Sequence, residues 1–421
     1  MKKIVLLSLF ALLSIPFSLC AQSDKSPGKS ASVLYKGRGK AKTMETKKIA
    51  SAYSQFGLEL IKRLEAKNDS MNIVISPASI ALALTMTLNG ADGETYDAMA
   101  NVLKIKRMNI DEANRLNAEL LDDLSAAMEG IELRIANSLW ARRKIQFKKQ
   151  FIETNGEFYG AVLRELDFSS PSAPKEINEW VKEKTEGKIP SIIDRIEPND
   201  ILFLINAIYF NGSWAREFDE SLTKIEIFHS PDGETKVPMM RRTGDFSYLE
   251  GEGFQAVMLP YVAKRLAMFI FLPAESSSLD EFYRNTTAER LYGWIRSMGM
   301  RKGEVIIPKF KFEYGASLKN TLSTMGMGIA FDRARADFRK MVDMRGVNAF
   351  IGDVVHKAFI DVNERGTEAA ASTAVRVGLT AVRVQPEPFT FKADRPFFFV
   401  IRDNRSGLIL FAGSIFDPSR P

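Results

Sequence analysis

From Ile49 the apolar positions recur three or four residues apart, at Ile49, Tyr53, Phe56, Leu60 and Leu64, the stripe of an amphipathic helix. Ser76-Pro77 predicts the start of a second helix, with Ser76 as N-cap and Pro77 in the first turn. That helix carries Ile80, Leu84 and Leu88 and stops near Gly90. Further helices are predicted over 94–104, 111–128 and 175–186, the last ending at Gly187. Then the pattern changes. Ile201–Phe210 is apolar except for Asn206, as in a strand buried on both faces, and Leu266–Leu272, Glu304–Phe312 and Val354–Val362 also read as strands. Pro396–Ile401 and Leu408–Phe416 flank Asp403–Gly407, a hairpin signal. Helices early and strands late predict an α+β fold with large antiparallel sheets. There is no internal repeat, and no linker after residue 48 divides the remainder, so 49–421 is expected to form one domain.

The 421 residues are 45% hydrophobic and 26% charged, enough to bury a large core, which excludes a disordered tail, a collagen-like fibre and a coiled coil. Lys2 and Lys3 precede an apolar run from Ile4 to Leu19, the layout of a secretory leader ending after Cys20 or Ala21. Cys20 also admits lipidation, although Leu19 is bulky for the position before a modified cysteine. The expected organisation is a signal peptide over 1–21, a basic flexible tether over 22–48, and an exported body, extracellular or in the cell envelope. The lysine start and cysteine-free body suit a bacterial exported protein. Net charge is +6, but residues 1–48 alone carry ten basic residues against two acidic ones, so the body sums to −2. The lysines have no aromatic stacking platform among them, and a solvated tether is favoured over nucleic-acid binding.

Candidate chemistry is sparse. Cys20 is the only cysteine, and His229 and His356 are the only histidines. No GxSxG elbow, GxxxxGK[ST] loop or HExxH motif occurs, so an enzyme is disfavoured and neither a metal nor a cofactor is expected. The informative stretch is 366–380. Thr367, Ala369, Ala371, Thr373, Val375, Val377 and Leu379 fall on one face of an extended chain; Glu368, Ala370, Ser372, Ala374, Arg376, Gly378 and Thr380 fall on the other. The first face is apolar or small, and the second holds all the charge. One reading is a plain strand followed by a loop. The other is a strand held in reserve, whose small first residues would slip between two existing strands. Inserting about 12–14 residues, at about 0.5–1.5 kcal/mol per ladder bond, would release on the order of 10 kcal/mol.

The chain resembles the serpins, a family of serine and cysteine protease inhibitors. The resemblance covers about 49–421 and rests on five segments in order. They are Asn72-Ile73-Val74-Ile75-Ser76-Pro77-Ala78-Ser79-Ile80, Asn206-Ala207-Ile208-Tyr209-Phe210-Asn211-Gly212-Ser213-Trp214, and Val237-Pro238-Met239-Met240. After these come His356-Lys357-Ala358 with Asn363-Glu364-Arg365-Gly366-Thr367-Glu368-Ala369-Ala370-Ala371, and Ala393-Asp394-Arg395-Pro396-Phe397-Phe398. The resemblance implies three β-sheets, eight or nine helices and an exposed reactive-centre loop. It implies a monomeric suicide-substrate inhibitor: a target serine protease, or a cysteine protease, cleaves the loop and forms an acyl-enzyme. The loop then enters the large sheet and carries the trapped protease to the opposite pole. No nucleic acid is implied, and a membrane only through a lipid on Cys20. The alternative is a non-inhibitory relative acting as carrier or chaperone.

Carried over residue by residue, the hinge is Gly366, Thr367, Glu368, Ala369, Ala370, Ala371, Ser372 and Thr373. Its small residues favour an inhibitor. Counting from Glu364 puts the reactive bond at Thr380–Ala381, with Leu379 as an alternative. Counting back from Arg395-Pro396-Phe397 puts it near Arg383. Ser76, Ser79, Asn206 and His356 match the family's shutter at the sheet centre. Asn206, in an otherwise apolar strand, needs hydrogen-bond partners. Trp214, Lys309 and Glu364 match the breach, where the loop first enters. Lys104, Lys106 and Arg107 are the only hint of a polyanion site.

Overall fold

The computed structural model describes residues 43–420 apart from 67–69, 127–128, 144, 198–199, 344–347 and 368–386. The helices are α1 (Thr43–Glu65), α2 (Pro77–Leu88), α3 (Gly93–Val102), α4 (Ile110–Ser125), α5 (Lys149–Tyr159), α6 (Ala173–Lys184), α7 (Leu279–Asn285), α8 (Ala288–Ser297) and the one-turn α9 (Lys319–Leu322). The strands begin with β1 (Ile73–Ile75), β2 (Ile131–Arg142), β3 (Val162–Leu166), β4 (Leu202–Ser213) and β5 (Lys224–Ser230). They continue with β6 (Gly233–Gly251), β7 (Phe254–Pro260), β8 (Leu266–Pro273), β9 (Gly299–Pro308) and β10 (Phe310–Ser317). The last are β11 (Ile351–Asn363), β12 (Gly366–Thr367), β13 (Phe389–Lys392), β14 (Phe397–Asp403) and β15 (Ile409–Ile415).

Ser76 caps α2 as its sequence predicts: its hydroxyl accepts from the Ser79 amide, with Pro77 at the first position. All twelve residues of α2 are buried. α1 begins at Thr43, so the last residues of the expected tether are helical, and Glu45 pairs with Arg115 of α4. The β14–β15 hairpin forms where the turn signal predicts it.

The strands form two hydrogen-bonded networks. One has six strands in the order β10-β11-β12-β4-β2-β3. The other runs β1-β15-β14-β8-β7-β6-β9-β13, with β5 on β6. The three sheets implied by the resemblance are present as these two networks because β6 belongs to two sheets. Its residues Gly233–Met239 pair with β5, Met239–Tyr248 with β9, and Ser247–Gly251 with β7. Glu304–Phe312 is two strands rather than one. Pro308 has no N–H to continue the ladder, Lys309 donates to the Pro238 carbonyl, and the chain passes there from one network to the other.

One large core lies between the six-stranded sheet, α1, α2 and the second network. A smaller one, around Trp140, Trp180, Phe203 and Ile205, fills the space under α6. β4 alternates between the two: Leu204, Ile208 and Phe210 point to the large core, Phe203, Ile205 and Ala207 to the α6 layer. This double burial explains the continuous apolar run in its sequence.

Candidate functional site

The centre of the six-stranded sheet holds a polar row in an apolar setting. β2, β4 and β11 set Asn137, Asn206 and His356 directly opposite one another. Asn206 and His356 are fully buried, as are Ser76 and Ser79 at the start of α2. The Ser76 amide donates to His356 Nε2 at 3.2 Å, so the ring proton is on Nδ1, which donates to Asn206 Oδ1 at 2.6 Å. The Asn206 amide gives its two hydrogens to Ser79 Oγ and Asn137 Oδ1. Asn206 is therefore fully satisfied and ties three strands to one helix. Burial drives the His356 pKa down to about 3, so the ring is neutral.

β4 and β11 pair directly and in parallel from Leu202–Ile351 to Ile208–Ala358. Above this seam they part, and β12 fills the opening. Gly366 lies between Ser213 and Asn363, and Thr367 between Gly212 and Val362, antiparallel to both neighbours. The fit is close: a Cβ on Gly366 would stand 2.1 Å from the Gly212 carbonyl oxygen. Thr367 is buried, and its hydroxyl shares a 2.8 Å hydrogen bond with Tyr261.

Trp214, Lys309 and Glu364 meet at this end of the seam. Lys309 Nζ is 2.8 Å from Glu364 Oε2, and Thr223 donates to the other carboxylate oxygen at 2.8 Å. Burial opposes ionisation of Glu364, but Lys309 and Thr223 outweigh it and hold the carboxyl below its usual range. Trp214 donates from Nε1 to the Asn363 carbonyl and stacks on Tyr261 at 4.7 Å between ring centres. Its backbone N–H donates to the Arg365 carbonyl. Thus β4 and the end of β11 grip the turn that feeds β12.

Of the predicted site residues, the structure places Ser76, Ser79, Asn206, His356, Trp214, Lys309, Glu364, Gly366 and Thr367. The other hinge residues, Glu368, Ala369, Ala370, Ala371, Ser372 and Thr373, lie outside the described residues. So do Leu379, Thr380, Ala381 and Arg383, and Cys20 of the leader. Asn137, Thr223 and Tyr261 were not legible as members of these groups. A lone Asn in Ile135-Ala136-Asn137-Ser138 acquires meaning only once β2 is registered against β4. Lys104 and Lys106 are engaged by Glu59 and Asp97 at 2.7 and 3.7 Å.

Across the centre of the sheet, then, runs a closed parallel seam with a short antiparallel strand lodged at its open end. A family model for serpins (serine protease inhibitors) matches residues 51–418, and the chain belongs to the serpin family. It is 38% identical over 376 residues to an uncharacterised serpin-like protein of Thermococcus kodakarensis, covering 89% of this chain and 87% of that one. It is 34% identical over 383 residues to the leukocyte elastase inhibitor of Equus caballus, covering 88% and 99%. Among solved structures, the thermophilic serpin tengpin in its native state superposes with a TM-score of 0.81 at 33% identity, covering 88% of this chain and 94% of that one.

Proposed function

We propose that this protein inhibits a serine protease as a suicide substrate, by taking its own cleaved loop into the six-stranded sheet. The observation that carries this reading is β12, two residues of the hinge already paired with both β4 and β11. Continuing that register downward sets Ala371 between Ile208 and Ala358, and Thr373 between Asn206 and His356. The odd-numbered residues would face the large core, as Thr367 does. Ala370, Ser372 and Ala374 would face the α6 layer, where small side chains demand little rearrangement. On β4 the ladder would run out opposite Leu202, at Val377. That length favours the reactive bond at Thr380–Ala381 over one near Arg383.

In the reaction, the protease serine oxygen attacks the Thr380 carbonyl carbon and forms an ester. The peptide C–N bond breaks, and the Ala381 amine takes the proton released by the serine hydroxyl. Freed at that end, the strand enters the seam. Fifteen residues at about 3.3 Å each span roughly 50 Å, against a diameter near 55 Å for a globule of this size. The acyl-protease would reach the far pole before water releases it.

Thr367→Arg tests the reading, because a guanidinium cannot take the buried place beside Tyr261 without opening the sheet end. Incubation with an elastase-like or subtilisin-like protease should give SDS-stable complexes with the wild type and plain cleavage with the variant. Full complex yield from Thr367→Arg would refute insertion as the trapping step. A stable complex formed mainly with trypsin and lost in Arg383→Ala would move the reactive bond.

A further inference from the structure

Arg242 projects from β6 with its guanidinium carbon 4.8 Å from the Phe218 ring centre and 4.9 Å from that of Phe246. A planar cation held by two rings is a task for arginine rather than lysine. One of its N–H groups donates to the Arg216 carbonyl. The Arg216 guanidinium lies over the same face of β6. Its Nη1 is 3.7 Å from where a Cβ would stand on Gly244, the residue between Arg242 and Phe246 on that face. The missing side chain at Gly244 leaves the floor on which the second cation rests.

Neighbouring arginines have counter-charges: Arg241 pairs with Glu226, Arg301 with Glu250, and Arg365 with Glu220. Among the described residues neither Arg216 nor Arg242 has a carboxylate partner, and the charge acting on Arg242 is that of Arg216. Burial first, and Arg216 second, lower the Arg242 pKa to about 10, so Arg242 remains a cation at neutral pH.

The patch also touches both ends of the hinge-bearing segment. Phe218 packs edge-on against Trp214 at 6.4 Å, Trp214 stacks on Tyr261, and Tyr261 bonds Thr367. On the other side, Phe246 packs against Phe389, the first residue of β13, at 6.1 Å. Two unneutralised guanidiniums, one fixed flat with free N–H edges, match the oxygens of a tetrahedral anion.

We propose that Arg216 and Arg242 form a binding site for the phosphate or sulfate group of a small effector. The bound anion relieves the repulsion between the two guanidiniums. It also steadies the aromatic row from Phe218 to Thr367, which favours the closed sheet. The binding itself does not depend on the inhibitor reading: failure to trap any protease would sink that reading and leave this site standing.

The test titrates inorganic sulfate and inorganic phosphate into the whole protein against sodium chloride at constant ionic strength, by calorimetry and by thermal midpoint. The expected result is saturable one-to-one binding, weakened at least tenfold in Arg242→Gln and in Arg216→Gln, with Arg242→Lys between. O-phosphoserine and tyrosine O-sulfate then separate the two sources by relative affinity, and tighter binding of either supports the site. Equal binding by wild type and both Gln variants, or a non-saturable response that chloride reproduces, overturns it. Should Arg242→Gln fail to fold, the exposed Arg216→Gln decides.

Discussion

His356 and Glu65 are buried ionisable groups that respond to pH in opposite directions. His356 titrates near 3 in the fold against 6.5 when exposed, because burial excludes the charged ring. The unfolded chain therefore binds the extra proton between these values. The stability that depends on neutral His356 is complete above about pH 6.5 and is lost progressively as pH falls toward 3, on the order of a few kcal/mol. Urea unfolding midpoints measured from pH 7 to pH 4 should fall in the wild type. The slope should flatten in His356→Gln, which also lacks the proper partners for Ser76 and Asn206 and starts about 1–3 kcal/mol lower. Glu65, at the C-terminal end of α1, is raised to about 8 by burial; Asp280 adds to the shift and Ser414 opposes it. One of its carboxyl oxygens is buried without a hydrogen-bond partner. Here the fold holds the proton that the unfolded chain gives up above about 4.5, so stability declines as pH rises from there to 8. Glu65→Gln should unfold later than the wild type at pH 8, with the advantage shrinking toward pH 5. Equal midpoints at pH 8 would show that Glu65 ionises inside the fold at no cost.

Among the elements, β12 is two residues long and is held by fit rather than by length. Gly366 has no room for a methyl group against the Gly212 carbonyl and the Ser213 backbone. Gly366→Ala should expel β12 from the seam, exposing the Gly212 amide to exchange while the shutter row remains protected. Hydrogen exchange read at peptides from β4 and β11 checks this; unchanged protection at Gly212 would mean that the strand tolerates the methyl group by shifting. The elements also show how far the residue pattern carries. α2, β8, β11 and the β14–β15 hairpin were legible because their periods and punctuation are local. The break at Pro308 was not, since Glu304–Phe312 is rich enough in apolar and β-branched residues to read as one run while its two halves join different sheets. The long β6 also escaped, because its residues face two environments in succession and share no single period.

On the scale of the whole molecule, the native sheet is closed by a parallel seam that a further antiparallel strand could replace with two ladders. If the loop enters after cleavage, the nicked protein gains one ladder net. At about 10 kcal/mol this should raise the melting midpoint by roughly 13 °C. Calorimetric scans of intact and singly cleaved protein decide the matter, and coincident midpoints would remove the driving force from the proposed mechanism.

The sequence alone determined α2, β8, β11, the β14–β15 hairpin, the alternation of 367–379, and the family, because these are carried by near neighbours and by short ordered segments. Only the tertiary structure decided that β4 and β11 close on each other below Thr367. It also decided that Asn137 completes the polar row, and that Arg216 and Arg242 meet with no carboxylate partner among the described residues. Each of these depends on the register between strands far apart in the chain, and register is set by packing across the whole core rather than by any local pattern.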